Sequence, residues 1–366
     1  MKKFLLAATM LAAISTPALA DMTIGWGGPI TGGSAAVGEQ NLNGVKQAVE
    51  DINAAGGILG ERLVLQVEDD AGDPKQAVSV ANRLAAAGAQ FVVGHQNSGA
   101  SIPASDIYAE NGMLQITPAS TNPNLTERGL WNTFRTCGRD DQQGTVAGNY
   151  LTKNFAGKNV FLVHDKTPYG QGLVEEVKKT INAGGLTEIG FEGISVGEKD
   201  YSALIAKIKE SKADVVYFGG VYTEAGLILR QLRDQGSKIA MIGGDAVFST
   251  EFAAITGPAG DGTLITFGPD ARKNPAAANV LKKFAAKKID PEGFTLYGYA
   301  AVQVIKAGIE AAGKADPQAV ADKLHTGMKI DTVIGPLSYN EKGDITRLDF
   351  VLYQLKNGKF EEQPSN

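Results

Sequence analysis

The chain has 366 residues, 43% hydrophobic and 20% charged, with 35 Lys and Arg against 40 Asp and Glu for a formal charge of −5. That length exceeds one typical core and calls for two domains, and the mildly acidic balance argues against nucleic acid as a partner. Cys137 is the only cysteine, which excludes an intramolecular disulfide and reads as a small buried apolar residue.

The chain opens MKKFLLAATMLAAISTPALA. Lys2 and Lys3 precede an apolar run from Phe4 to Ile14, and Ala18-Leu19-Ala20 forms a small-x-small cleavage site, so residues 1–20 read as a secretory signal peptide. The run is too short for a membrane anchor, which needs about 20 apolar residues, and no cysteine follows it to take a lipid. The expectation is an exported, soluble protein of a bacterial periplasm.

After Asp21 short apolar strands alternate with amphipathic helices. The pattern predicts strands over Met22–Gly27, Leu63–Glu68, Phe91–Gly94 and Leu114–Thr117, with helices over Glu39–Ala54, Pro74–Ala86 and Ile102–Glu110. It resumes with strands Val160–His164, Val215–Gly219, Ala240–Gly243 and Thr263–Phe267, separated by helices near Gly170–Ala183, Tyr201–Lys212 and Glu224–Gln235. Strands joined by helical crossovers make parallel sheets covered on both faces, and two such sets predict two α/β lobes. The tail breaks the rhythm. Helices over Ala276–Lys287 and Tyr297–Ala312 and a third from Pro317 run together, and a strand Asp349–Lys356 ends at an Asn357-Gly358 turn. Such a tail can pack back onto an earlier lobe.

Ligands of parallel α/β sheets sit beyond the carboxyl ends of the strands. The first such loop, GWGGPITGGS (Gly25–Ser34), lacks the spacing of a dinucleotide fingerprint and the lysine of a P-loop. No G-x-S-x-G elbow occurs. His95, His164 and His325 are scattered without ligand spacing and read as structural residues, so neither a metal nor a cofactor is expected and the enzyme class gains no support. Anion recognition without catalysis remains. Two hydroxyl-rich loops follow neighbouring strands, around Asn97-Ser98-Gly99 and Thr117–Thr121, and Ser98 either faces a carboxylate or caps the helix beyond it. Asp245, after Gly243-Gly244, either meets an ammonium or caps a helix before Val247. Tyr169 offers an aromatic wall with a hydroxyl. Opposed anion-binding and cation-binding groups describe a zwitterion site.

The sequence resembles the periplasmic leucine/isoleucine/valine-binding proteins, the substrate-binding components of branched-chain amino-acid ABC transporters. Its landmarks, spread over nearly the whole chain beyond the signal peptide, are DDAGDPKQAVSVAN (Asp69–Asn82), VVGHQNSGASIPASDIY (Val92–Tyr108), ITPASTNPNLTERG (Ile116–Gly129), VHDKTPYGQG (Val163–Gly172), GEKDYSALIAKIK (Gly197–Lys209) and DTVIGPLSYNEKGD (Asp331–Asp344). The resemblance implies a type I periplasmic binding protein: two doubly wound parallel-sheet lobes joined by three hinge crossovers near Gly138–Asp140, Phe267–Pro269 and Ile345–Arg347. Residues 21–139 plus 269–346 would form the N-terminal lobe, and 140–268 plus 347–366 the C-terminal lobe.

By motif, Ser98 and Thr121 would bind the α-carboxylate, Ala119 would offer its carbonyl to the ammonium, Asp245 would be the counter-charge where the branched-chain binders carry Glu, and Tyr169 would be a cleft tyrosine. Departures from the family mark the side-chain pocket. Gly72 and Asn97 stand where disulfide-bearing members carry cysteines. Gln96 and Asn97 place amides where an apolar wall is expected, while Val37 and Val221, the latter beside Tyr222, stand where a pocket tyrosine is common. These changes leave open an aliphatic, a broader or a more polar amino acid, a non-α-amino acid or an aromatic acid. The implied partners are that ligand and an inner-membrane ABC permease with a separate ATPase, the carrier being a monomer. A sensory ligand-binding protein shares the same cleft, and a periplasmic enzyme is the remaining rival.

Overall fold

The computed structural model describes residues 21–348 and 350–364; the segment read as a signal peptide and Asp349, the first residue of the expected terminal strand, lie outside them. The first part of the chain runs β1 (Asp21–Gly28), α1 (Ala35–Ala54), β2 (Arg62–Asp69), α2 (Pro74–Ala86), β3 (Phe91–Gly94), α3 (Ser98–Glu110), β4 (Leu114–Thr117), α4 (Asn124–Glu127) and β5 (Thr133–Arg135). Its strands form one parallel sheet in the order β2-β1-β3-β4-β5. The second part runs α5 (Asp140–Asn154), β6 (Val160–His164), α6 (Pro168–Ala183), β7 (Glu188–Gly193), α7 (Ser202–Glu210), β8 (Val215–Gly219), α8 (Tyr222–Asp234), β9 (Ala240–Gly243), α9 (Thr250–Thr256) and β10 (Leu264–Phe267).

The tail then supplies α10 (Ala278–Ala286), α11 (Thr295–Ala312) and α12 (Pro317–His325), followed by β11 (Val351–Lys356) and β12 (Lys359–Glu362), which turn about Asn357-Gly358. α11 packs along α1 and over β3 and β4 of the first sheet. β11 and β12 instead extend the second sheet, antiparallel, in the order β12-β11-β10-β9-β8-β6-β7. The chain therefore passes between the sheets three times: after β5, after β10 and before β11. This is the two-lobed type I periplasmic-binding architecture, and the tail's broken rhythm is the return of its helices to the first lobe.

Both sheets are covered on each face. Val92 packs with α2 and α3 residues such as Val80, Leu84 and Tyr108 on one face of the first sheet, while Ile24, Trp26 and Val93 on the other meet Val45 of α1 and Val302 and Ile305 of α11. In the second sheet Leu162 and Tyr217 face α5 and α6 through Leu151, Leu173 and Val177. Phe161, Val216 and Phe218 face α7 and α8 through Ile205 and Ile228. Continuous burial on both faces explains the unbroken apolar runs of the central strands.

Three strands, β5, β7 and β12, and the helix α5 escape the sequence pattern. β5 is only three residues long, and β7 lies on a sheet edge where Glu188–Gly193 is half-buried at best. α3 begins four residues before the expected Ile102, so Ser98 is its first residue and Asn97 takes the position before it. That corrects the capping alternative for Ser98.

Two order reversals position the site. β1 lies between β2 and β3, and β6 lies between β7 and β8, so in each sheet adjacent loops diverge and leave a crevice at the carboxyl edge. The loops carrying Gln96–Ser98 and Thr117–Thr121 leave the first sheet there. Those carrying Asp165–Tyr169, Gly219–Tyr222 and Gly243–Asp245 leave the second.

Candidate functional site

A small cavity lies between the lobes. From the first lobe it is walled by Val37, Gln96, Asn97, Ser98, Ala119 and Phe294; from the second, by Tyr169, Val221, Asp245 and Ala246. It adjoins a wider cleft that shares Asn97, Ser98, Tyr169 and Val221 and reaches Gly72 and Asp165.

On the first lobe the β3–α3 turn is pinned from below. The His95 carbonyl accepts from Thr117 Oγ1 at 2.7 Å and from Ser101 and Ser120 Oγ at 3.1 Å each. The His95 ring is itself buried between Asp70 (2.5 Å) and the Tyr108 hydroxyl (2.8 Å), a structural role. These bonds hold the segments around Ser98 and Ala119 side by side. Ser98 Oγ accepts from the Asn122 N–H at 3.3 Å and borders the cavity. Asn97 donates Nδ2 to Ser34 Oγ at 3.1 Å. A Cβ built on Gly72 would lie 3.3 Å from Asn97 Oδ1, so the two positions discussed for a disulfide are adjacent.

On the second lobe Asp245 is buried at the carboxyl end of β9. Its Oδ1 accepts from the Tyr169 hydroxyl at 2.7 Å and from Gln143 Nε2 at 3.1 Å, and Gln143 is anchored in turn on Thr266 Oγ1 at 2.9 Å. The residue opens a short 3-10 turn without capping it through its side chain, which corrects that alternative. Burial pushes the Asp245 carboxyl up to about 6, although the bonds from Tyr169 and Gln143 pull the other way. Burial and the nearby Asp245 and Asp140 hold the Tyr169 phenol well above its ordinary value, so it remains a donor.

Thr121 and Tyr222 stand apart from the others. Neither borders the cavity. Thr121 is buried beside Asp140, whose backbone N–H donates to the Thr121 carbonyl at 2.9 Å, and Tyr222 accepts from the Ala36 N–H at 3.3 Å across the cleft. Their distance from the cavity is set by α-helix and crossover geometry that no local motif encodes.

Sequence reasoning missed Asp140, Gln143, Ala246 and Phe294. Asp140 is fully buried, and burial together with the charge of Asp245 raises its carboxyl far above the usual range. In the sequence Asp140-Asp141 after Arg139 looks like a solvated helix start; only the fold brings Asp140 beneath Asp245. Phe294 arrives from the returning tail, 173 residues after Thr121 in a segment with no site signal of its own. Among the described residues no group of three or more His, Cys, Asp or Glu is arranged to hold a metal ion. No helix among them is long and apolar enough to cross a membrane.

The cavity is closed by direct contacts between the lobes. Thr223 Oγ1 donates to the Gly33 carbonyl at 2.8 Å and Asn122 Nδ2 to the Pro168 carbonyl at 2.6 Å. Glu292 Oε2 accepts from Gln40 Nε2 and from the Thr250 N–H, both at 3.1 Å.

Comparison with known proteins places this geometry among others. The family model described as "Periplasmic binding protein" matches residues 21–359. A curated relative from Brucella melitensis, "Leu/Ile/Val-binding protein homolog 1", is 52% identical over 361 residues, covering 98% of this chain and 97% of its own. The crystal structure of a leucine binding protein LivK from Thermotoga maritima superposes with a TM-score of 0.88 at 27% identity, covering 94% of this chain and 98% of that one. The branched-chain amino acid transporter substrate binding protein LivJ from Streptococcus pneumoniae, solved in complex with isoleucine, superposes with a TM-score of 0.85 at 25% identity, covering 93% and 98%.

Proposed function

This chain belongs to the periplasmic binding protein family, and from that premise we propose that it captures one amino acid between its lobes and delivers it to an ABC transporter. The observation that carries the proposal is Asp245: a buried carboxylate at the cavity wall whose hydrogen-bond partners, Tyr169 and Gln143, are both neutral. A buried carboxylate without a cationic partner is poised for a charge the ligand brings. Ser98, at the start of α3 across the cavity, is set for the opposite end of a zwitterion, where the helix N-terminus favours a carboxylate.

In this reading Ser98 and Thr121 receive the α-carboxylate, Ala119 and Asp245 the ammonium, and Tyr169 holds the Asp245 carboxylate while covering the ligand. Thr121 reaches the ligand only through adjustment of its loop. Gln96, Asn97 and Val221 line the side-chain end, and Tyr222 serves the cleft edge. The lobes divide at 139/140, 268/269 and 346/347, so the amino acid docks on the first lobe and closure brings Asp245 and Tyr169 over it. Closure excludes water and strengthens each charged hydrogen bond. The bound ligand selects the closed form because only there are both sets of contacts made.

The carrier acts as a periplasmic monomer, without turnover, and hands its ligand to a membrane permease driven by a separate ATPase. Isothermal calorimetry with a panel of amino acids tests the reading. One or more should bind and be recovered unchanged, and Asp245→Ala should weaken binding by roughly 3–5 kcal/mol, the cost of stranding one member of a buried charged pair. Ser98→Ala should cost about 1.5–3 kcal/mol, as for hydrogen bonds to charged groups. Unchanged affinity in a folded variant removes that residue from the site.

A further inference from the structure

The Gln96 wall of the cavity contains a hydrogen-bond relay with a fixed direction. Trp26 in β1, Asn41 in α1 and Gln96 after β3 are all buried. Trp26 Nε1 lies 3.2 Å from Asn41 Oδ1, and Asn41 Nδ2 lies 3.2 Å from Gln96 Oε1. An indole nitrogen can only donate. Asn41 must therefore turn its oxygen to Trp26 and its amino group to Gln96, and Gln96 must turn its oxygen to Asn41. The amino group of Gln96 is what remains. It makes no hydrogen bond among the described residues and keeps some solvent access, and Gln96 lines the cavity.

We infer that Gln96 is a specificity-determining residue that selects an amino acid whose side chain carries a neutral hydrogen-bond acceptor, a hydroxyl, ether or amide oxygen. The inference rests on the amino-acid reading above and names the ligand class within it. A purely aliphatic side chain would cover the Gln96 amino group without satisfying it, and a donor buried without a partner is costly. Sites built to hydrogen-bond a substrate group discriminate strongly against the analogue that lacks it. The acceptor is neutral because the lining residues include no Lys, Arg or His to offset a second carboxylate. The remaining walls, Val37, Val221, Ala246 and Phe294, suit a short stem. Because Trp26 and Asn41 hold the amide in place, little rotamer freedom is lost on binding.

Isosteric ligand pairs read the relay directly. Calorimetry on the full chain should find L-threonine bound at least tenfold more tightly than L-valine, and O-methyl-L-serine, whose ether oxygen only accepts, more tightly than L-norvaline. L-aspartate should bind more weakly than L-threonine. Gln96→Leu should reverse both preferences, and Gln96→Glu, which keeps the size but removes the donors, should abolish the advantage of O-methyl-L-serine. Trp26→Phe, which frees the relay to flip, should narrow the threonine–valine gap. Valine binding as well as threonine, or aspartate as tightly, overturns the inference while leaving the amino-acid reading intact. Absence of binding by every α-amino acid overturns both.

Discussion

Asp245 has no cation beside it, and its carboxyl titrates at about 6 rather than near 3.8 because burial disfavours its charge. The charged form is the one that meets an ammonium, so below about pH 6 a proton must leave Asp245 before or as the ligand binds. Affinity should therefore hold above about pH 6 and fall by about tenfold per pH unit below it, and Asp245→Asn should flatten that profile; calorimetry across pH 4.5–8 checks both. Stability of the unliganded protein should run the other way. Between 3.8 and about 6 the folded chain holds a proton that the unfolded chain has released, so this residue's contribution is greatest at low pH and is lost as pH rises through the folded value. Asp140, raised by its own burial and by Asp245, and Asp165, raised to about 6 by burial, add to the same trend. Asp245, Ser98 and Tyr169 were legible because each follows a strand end in a loop of distinctive chemistry. Asp140 and Phe294 were not, because their neighbours in sequence are ordinary and their neighbours in space come from distant parts of the chain.

Among the elements, the central strands and most long helices could be read from their apolar periodicity, whereas α5 and the edge strands β5 and β7 could not. β7 carries Glu188, Gly190, Glu192 and Gly193 because one side of it meets solvent, so the alternation that marks a strand is diluted. The α1–α11 contact shows what the pattern hides. Both helices read as amphipathic, yet their pairing depends on Gly44, where an added Cβ would lie 1.8 Å from the Thr295 carbonyl oxygen. Alanine is the better helix former by about 1 kcal/mol, but here it would drive two backbones apart. Gly44→Ala should lower the melting temperature, with a net loss of about 1–3 kcal/mol typical of overpacking. A melting temperature equal to or above that of the parent would show that α11 gives way easily.

For the whole molecule, the two lobes meet through a few exchangeable contacts at the cleft, while an ionic cluster on the first-lobe side braces the crossovers. Arg135 and Arg139, at the first crossover, both pair with Asp344 near the third at 2.7 Å, which ties two connections together at the hinge. The cleft-edge bonds of Asn122 and Thr223 are made only when the lobes come together. Each such bond contributes about 0.5–1.5 kcal/mol net, so Asn122→Ala and Thr223→Ala should each weaken ligand affinity about two- to tenfold. The change should appear in the dissociation rate, with association little altered. Stopped-flow measurements separate the two, and a slower association at constant release would place these residues in encounter rather than closure.

The threefold passage of the chain also sets when the molecule can begin to fold. The face of the first sheet covered by α1 is completed by α11, whose residues Val302 and Ile305 are fully buried although they follow α1 by some 250 positions. The second sheet likewise waits for β11, which pairs with β10. A chain cut anywhere before residue 295 leaves the first lobe with an uncovered apolar face, and one cut before residue 351 leaves the second without its last strands. Neither lobe is contiguous in sequence, so each receives its last elements only when the polypeptide is nearly complete. Until then it remains an open substrate for proteases, chaperones and any machinery that moves unfolded chains.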